Sequence, residues 1–242
     1  MLEVRNIKKS FGGVEAIQGS NFTIETGKTT ALIGPNGAGK TTLFNIICGL
    51  LEPDSGSIIF DETDITKMPT HKRIHAGISR TFQHSRLFKH LSIADHIAMV
   101  EGDTDTKMFK NICGIGQKMT HNPVDVLQEY GIDHEPTKKV SDLSYGQQKL
   151  FAIALAVQKQ HSLLMLDEPV AGVNSVIQAH VEELLMDLKK QGETILLIDH
   201  DMQFVRALAD HVIVLDAGVV IAEGSPEVVL QDPKVLEAYL GD

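Results

Sequence analysis

The sequence predicts an α/β fold with a parallel sheet, an N-terminal antiparallel β subdomain and an inserted α-helical subdomain. Three observations carry that reading. First, Gly34-Pro35-Asn36-Gly37-Ala38-Gly39-Lys40-Thr41-Thr42 follows the apolar run Ala31-Leu32-Ile33 and precedes the helix-like Leu43-Phe44-Asn45-Ile46-Ile47. Strand, glycine-rich loop with Lys-Thr, then helix is the order of a phosphate-binding loop, so the core is that of a P-loop NTPase. Second, Leu163-Leu164-Met165-Leu166 and Ile195-Leu196-Leu197-Ile198 are apolar throughout and are joined through a helix-length segment. That is the βαβ pattern of a parallel sheet covered on both faces. Third, between about Arg73 and Tyr130 the texture turns polar, His-rich and helix-compatible, as in an inserted helical subdomain.

Leu2-Glu3-Val4-Arg5 and Val14-Glu15-Ala16-Ile17 alternate as strands with one dry face on either side of a Phe11-Gly12-Gly13 turn. A further short strand is expected at 21–25. Thr26-Gly27-Lys28 then turns the chain into the 29–33 strand, so the first thirty residues form an antiparallel sheet beside the core. The helix after the loop spans 43–50. Pro53-Asp54-Ser55-Gly56-Ser57 breaks it ahead of a strand at Ile58-Ile59-Phe60-Asp61. Asn122-Pro123 interrupts the insertion, and residues 102–120 carry no pattern that chooses between loop and frayed helix. Residues 147–158 form a helix with Leu150, Ile153, Ala154 and Val157 on one face. After the 163–166 strand, Ser175 can cap a helix bearing Val181, Leu184, Leu185 and Leu188, which stops near Gly192. Asp216-Ala217-Gly218 is a hairpin turn, and the chain closes in a helical tail from Pro226. The expected organisation is a single domain over 1–242, with 1–82 and 160–242 as catalytic core and about 83–159 as helical subdomain.

Composition narrows the functions. A formal net charge of -10 and only 22 Lys and Arg among 242 residues offer no global basic surface, so nucleic acid is not an expected partner. Cys48 and Cys113 have no metal-ligand spacing, which disfavours a disulfide framework or zinc site. No apolar run approaches the roughly 18 residues needed to span a bilayer, so neither secretion nor membrane insertion is expected.

Within the loop, the glycines Gly34, Gly37 and Gly39 let the backbone approach a ligand closely, and the main chain through Asn36, Ala38 and Thr42 adds N–H donors. Lys40 supplies a compact positive charge for the β and γ oxygens, and the Thr41 hydroxyl is placed to ligate Mg²⁺. Asp167 and Glu168 stand at the carboxyl end of a buried strand, where open α/β sheets bind ligands. Two acids there are by themselves more often a solvated turn. Beside a phosphate loop, Asp167 can hold Mg²⁺ and Glu168 can orient and deprotonate water. His200 ends the next apolar strand in the same way and suits a donor to the γ-phosphate or the attacking water. Gln83 alone reads as an exposed amide. Leu143-Ser144-Tyr145-Gly146-Gln147 is a second glycine-containing helix start, an anion site or a simple cap.

The phosphate loop, Gln83, Leu143-Ser144-Tyr145-Gly146-Gln147, Leu163 to Glu168 and His200 occur in the order and spacing of ATP-binding subunits of ABC transporters, and the whole chain resembles that family. The resemblance implies ATP and Mg²⁺ as cofactors and a second ATPase subunit as partner. Each ATP is then held between one partner's phosphate loop and the other's signature segment. It further implies that Ser144 and Gly146 meet the γ-phosphate across the dimer, with Gln147 also in the nucleotide-binding segment, that Gln83 reaches Mg²⁺ and the membrane partner, and that Glu168 is the base and His200 the switch. Phe11 looks like the aromatic that stacks on adenine, with a core or turn aromatic as the alternative. Integral-membrane permease subunits are the implied partners, contacted around residues 83–92 from the cytoplasmic face of the plasma membrane, with only indirect membrane contact. Arg80-Thr81-Phe82-Gln83, Arg86-Leu87-Phe88, Ala171-Gly172-Val173-Asn174 and Ala238-Tyr239-Leu240-Gly241 resemble the branched-chain amino-acid importers. The short stretch at 102–120 departs from them. A lipopolysaccharide exporter, another polar-solute importer, and a soluble ABC ATPase acting on DNA or ribosomes are the rival readings.

Overall fold

The computed structural model describes residues 1–81, 87–101 and 122–240. The chain divides into two compact units, the first comprising Met1–Arg80, His161–Glu168 and Leu185–Asp242, the second Thr81–Gln160 and Pro169–Leu184.

The first unit holds two sheets. In the antiparallel one, β1 (Leu2–Phe11) pairs with β2 (Val14–Ile24) and with β4 (Ser55–Phe60), and β4 pairs with β5 (Thr63–Asp64), in the order β2-β1-β4-β5. The strands expected at 14–17 and 21–25 are therefore one strand. Pairing survives the break because register shifts in β1 absorb the irregularity opposite Gly19, whose φ is +95°. In the second sheet, β3 (Thr29–Ile33), β6 (Ile78–Arg80), β7 (Leu163–Asp167), β8 (Ile195–Ile198) and β9 (His211–Asp216) are parallel. β10 (Val219–Gly224) adds an antiparallel edge, and the order is β10-β9-β3-β8-β7-β6. Ala217 and Gly218 make the β9–β10 turn with φ of +43° and +80°, the mirror-image turn that fits strand twist.

Period two explains why the parallel strands are apolar throughout. Leu32, Leu163, Met165, Leu196, Ile198, Ile213 and Leu215 join one core cluster, while their neighbours Leu164, Leu166, Leu197 and Val214 are buried on the opposite face. Helix α1 (Lys40–Ile47) packs into that cluster with Leu43, Phe44, Ile46 and Ile47, together with Leu2, Val4, Ile58 and Phe60 of the antiparallel sheet. The phosphate loop thus leads into a helix clamped between two sheets. Truncating one of these fully buried side chains to alanine costs about 2–5 kcal/mol.

Arg73, where the polar texture of the sequence begins, precedes the helical subdomain expected at about 83–159. It lies on α2 (Thr70–His75), which, with β6 after it, belongs to the first unit. The residue is 1% exposed, and its guanidinium donates to the carbonyls of Ile46, Ile47, Thr66 and Met68 at 2.7–2.8 Å. Two of the carbonyls ending α1, those of Ile46 and Ile47, thereby share one side chain, while backbone N–H groups serve Phe44 and Asn45.

In the second unit lie α3 (Ile93–Glu101), α4 (Pro123–Glu129) and α5 (Tyr145–Gln158), with buried Ile93, Ile97, Val126, Leu127, Leu150 and Phe151. Asn122-Pro123, read as an interruption, starts α4 instead: Asn122 Oδ1 accepts from the Val124 N–H, and proline suits the first helical position. Helix α6 (Ser175–Lys190) is likewise capped one residue earlier than expected. Asn174 Oδ1 accepts the Ile177 N–H at 3.0 Å, and Ser175 is already helical. The first unit closes with α7 (Met202–Leu208), α8 (Pro226–Val229) and α9 (Pro233–Leu240).

Candidate functional site

In the first unit, the phosphate loop follows β3, Asp167 and Glu168 end β7, and His200 follows β8. Because β3, β8 and β7 are consecutive parallel neighbours, all three segments leave the sheet at the same rim. A β-carbon on Gly34 would stand 2.0 Å from the Leu215 carbonyl oxygen, so the loop can lie against β9 only with glycine there. Gly37 is the reverse case: its φ is +83°, and an added carbon meets nothing within 4 Å, so it would stand in the open cradle. Exposed Asn36 and Thr41 flank it, with Ala38 buried beneath and Thr42 half-buried. Lys40 Nζ donates to the carbonyls of Gly34 and Pro35 at 2.5 and 2.8 Å, which holds the ammonium over the loop. A cleft of about 630 Å³ opens beside Asn36 and Gly37, with Asp216, Lys234 and Glu237 opposite.

Asp167 is 4% exposed and its Oδ2 accepts from Arg80 Nη2 at 2.7 Å. Glu168 is half-buried and takes a left-handed φ of +49° while its N–H bonds the Ile198 carbonyl. Such a backbone costs about 1–2 kcal/mol in a residue other than glycine. It turns Glu168 out of the strand immediately after Asp167, giving adjacent carboxylates different surroundings.

His200 has an exposed side chain, held from behind by its neighbour. Asp199 Oδ1 accepts the N–H groups of His200 and Asp201 at 2.8 and 3.0 Å, while Asp201 Oδ1 caps α7 through Gln203 and Phe204. Burial pushes the Asp199 carboxyl above the ordinary carboxylate range, against those two backbone donors. Sequence reasoning passed over Asp199 and Arg80. The available signal was an acid or a guanidinium inside an otherwise apolar strand end.

Phe11 ends β1 at the two-glycine turn, exposed, with Lys9 Nζ 5.6 Å from its ring centre. It is not a core aromatic. Gln83 lies outside the described residues.

The second unit holds Ser144, Gly146 and Gln147. Ser144 Oγ accepts the Gln147 N–H at 3.3 Å, and Gln147 Oε1 accepts the Ser144 N–H at 2.9 Å, a reciprocal capping box at the start of α5. Gly146 permits close packing on α6, since a β-carbon would stand 2.9 Å from Ile177 Cγ1.

The sequence model described as ABC transporter matches residues 17–171, more than half of the chain. The chain belongs to the ABC transporter ATP-binding family. The ATPase is 36% identical over 245 residues to a probable branched-chain amino acid transport ATP-binding protein LivG of Archaeoglobus fulgidus, covering 100% of this chain and 95% of that one. It is 34% identical over 253 residues to the high-affinity branched-chain amino acid transport ATP-binding protein BraF of Pseudomonas aeruginosa, covering 100% and 98%. The solved ADP conformation of an ATP-binding cassette of an ABC transporter superposes with a TM-score of 0.83 at 32% identity, over 100% of this chain and 99% of that one. Residues 219–242 also match a model described as branched-chain amino acid ATP-binding cassette transporter. The ATPase binds and hydrolyses ATP to power transport. No helix among its described residues is long and apolar enough to cross a membrane.

Proposed function

We propose that the chain is the ATPase subunit of a branched-chain amino-acid importer. The observation that carries this reading is the match of the C-terminal residues 219–242 to a model of that transporter class, alongside full-length relatives of the same description. Two ATPase subunits, alike or different, close on ATP, and integral-membrane permease subunits dock on them at the cytoplasmic face of the membrane.

The phosphate loop from Gly34 through Asn36, Gly37, Ala38, Gly39 and Thr42 binds the triphosphate, with Lys40 on its outer oxygens and Phe11 under the base. Thr41 and Asp167 offer the hydroxyl and carboxylate oxygens that Mg²⁺ prefers, and Mg²⁺ commonly takes few protein ligands beside substrate phosphates. When bound, it neutralises charge on the transferred phosphoryl group. Glu168 takes the proton of the attacking water, His200 donates to the γ-phosphate, and Gln83 links this chemistry to the permease. Ser144, Gly146 and Gln147 complete the second subunit's ATP.

Replacement Glu168→Gln should cut ATP turnover by roughly 10²–10⁴ while ATP binding persists. An unchanged kcat would remove Glu168 from its role. The transport reading is tested by mass spectrometry of proteins that co-purify with a tagged copy from native membranes. Permease subunits with a second ATPase are expected, whereas ribosomal proteins or envelope-bridging lipopolysaccharide carriers would sink the importer reading.

A further inference from the structure

A guanidinium buried to the degree of Arg80 demands partners, because an unpaired buried charge is strongly destabilising. Arg80 ends the short strand β6 with its side chain 6% exposed, and the Asp167 side chain it meets is 5% exposed. Nη2 donates to Asp167 Oδ2 at 2.7 Å, and Nη1 donates to Asn45 Oδ1 at 2.8 Å. The guanidinium carbon lies 5.4 Å from the centre of the Phe44 ring. One rigid planar group therefore spans β7 and α1, the helix that begins with Lys40 and Thr41. Hydrophobic residues fill buried positions of this kind with equal or better stability, so packing alone does not account for a charge here.

We infer that Arg80 is a positioning residue for the metal-binding carboxylate, fixing Asp167 relative to the helix that carries Lys40 and Thr41. The inference rests on the reading of Asp167 as a Mg²⁺ ligand. A carboxylate on its own turns broadly about its last torsion. Held by Nη2, whose plane is set in turn by Asn45 and the Phe44 ring, it has a single orientation. The fork geometry is what matters. A lysine at this position keeps the charge but concentrates it at one flexible point, and cannot bond Asp167 and Asn45 in fixed directions at once.

The test is a titration of a fluorescent ADP analogue, with Mg²⁺ and with EDTA, on the purified wild-type protein and on Arg80→Lys, Arg80→Gln and Asp167→Asn. Loss of a group that orients a metal ligand typically weakens the metal by about 10–100-fold. Both Arg80 variants should therefore need about 10–100 times more Mg²⁺ for the same enhancement of nucleotide binding, with affinity in EDTA unchanged. Asp167→Asn should lose the same Mg²⁺ dependence. A normal Mg²⁺ requirement in the Arg80 variants, while Asp167→Asn loses it, overturns the inference and leaves the Asp167 reading standing. A normal requirement in Asp167→Asn removes that reading and the inference with it. Equal weakening in Mg²⁺ and EDTA assigns Arg80 to general stability, which also overturns it. If Arg80→Gln does not fold, Arg80→Lys decides, since it retains the buried charge.

Discussion

A carboxyl group enclosed like that of Asp199 is easier to protonate in the folded protein than in the unfolded chain. Desolvation is the larger cause and the nearby Glu168 charge adds to it, while the N–H groups of Asp201 and His200 oppose them. With the folded pKa above the unfolded one, the folded state binds more protons between the two values. Stability therefore falls as pH rises through that window, and a constant penalty remains above it. Asparagine keeps an oxygen for the two N–H groups and carries no charge. Asp199→Asn should accordingly raise the unfolding temperature relative to wild type, with a difference that grows as pH rises above the ordinary carboxylate range. Thermal melts at several pH values check this, and a difference independent of pH would contradict the buried-acid assignment. Glu168 shows a second residue-scale effect, since its left-handed backbone gives no sign in composition or periodicity.

Helix starts are where element-scale structure and chemistry overlap. Ser144 caps α5 and, in the function we propose, also meets the partner's ATP, so alanine confounds the two by removing about 1 kcal/mol of capping. Aspartate separates them, because it caps as well as serine yet places a carboxylate where phosphate is due. Ser144→Asp should melt close to wild type while ATP turnover falls steeply, whereas Ser144→Ala should lose stability as well. Turnover retained in a stable Ser144→Asp protein would make the segment a cap and nothing more. The same overlap explains what was misplaced in the sequence reading. Ser175 and Asn174 are both good caps, and Asn122-Pro123 is both a breaker and a starter. Only the backbone direction at each site distinguishes them.

At the scale of the whole molecule, charge governs association. Each copy has a formal net charge of -10, so in the proposed closure on ATP two copies would repel each other at long range. Raising ionic strength from 0.01 M to 0.15 M shortens the screening length from about 30 Å to about 8 Å. Self-association of Glu168→Gln in ATP, followed by sedimentation, should therefore strengthen with salt over that interval. Weakening instead would mean that attractive charges across the interface outweigh the net repulsion.

The sequence by itself determined the parts whose geometry is local. Glycines at loop positions, apolar runs of strand length and helical spacing specify the phosphate loop, α1 and the individual buried strands, because their patterns lie within a few residues, whereas the pairing of those strands, Thr29 with Ile195 for example, is long-range. Tertiary structure alone decided the partners of Arg73 and Arg80. Arg73 meets Ile46 across 27 positions and Arg80 meets Asp167 across 87, and a guanidinium carries no periodic signal of what it will face. In a single sequence both read as ordinary charged residues. Burial turned each into a clasp, because a cation taken out of water must find its acceptors wherever the fold has brought them.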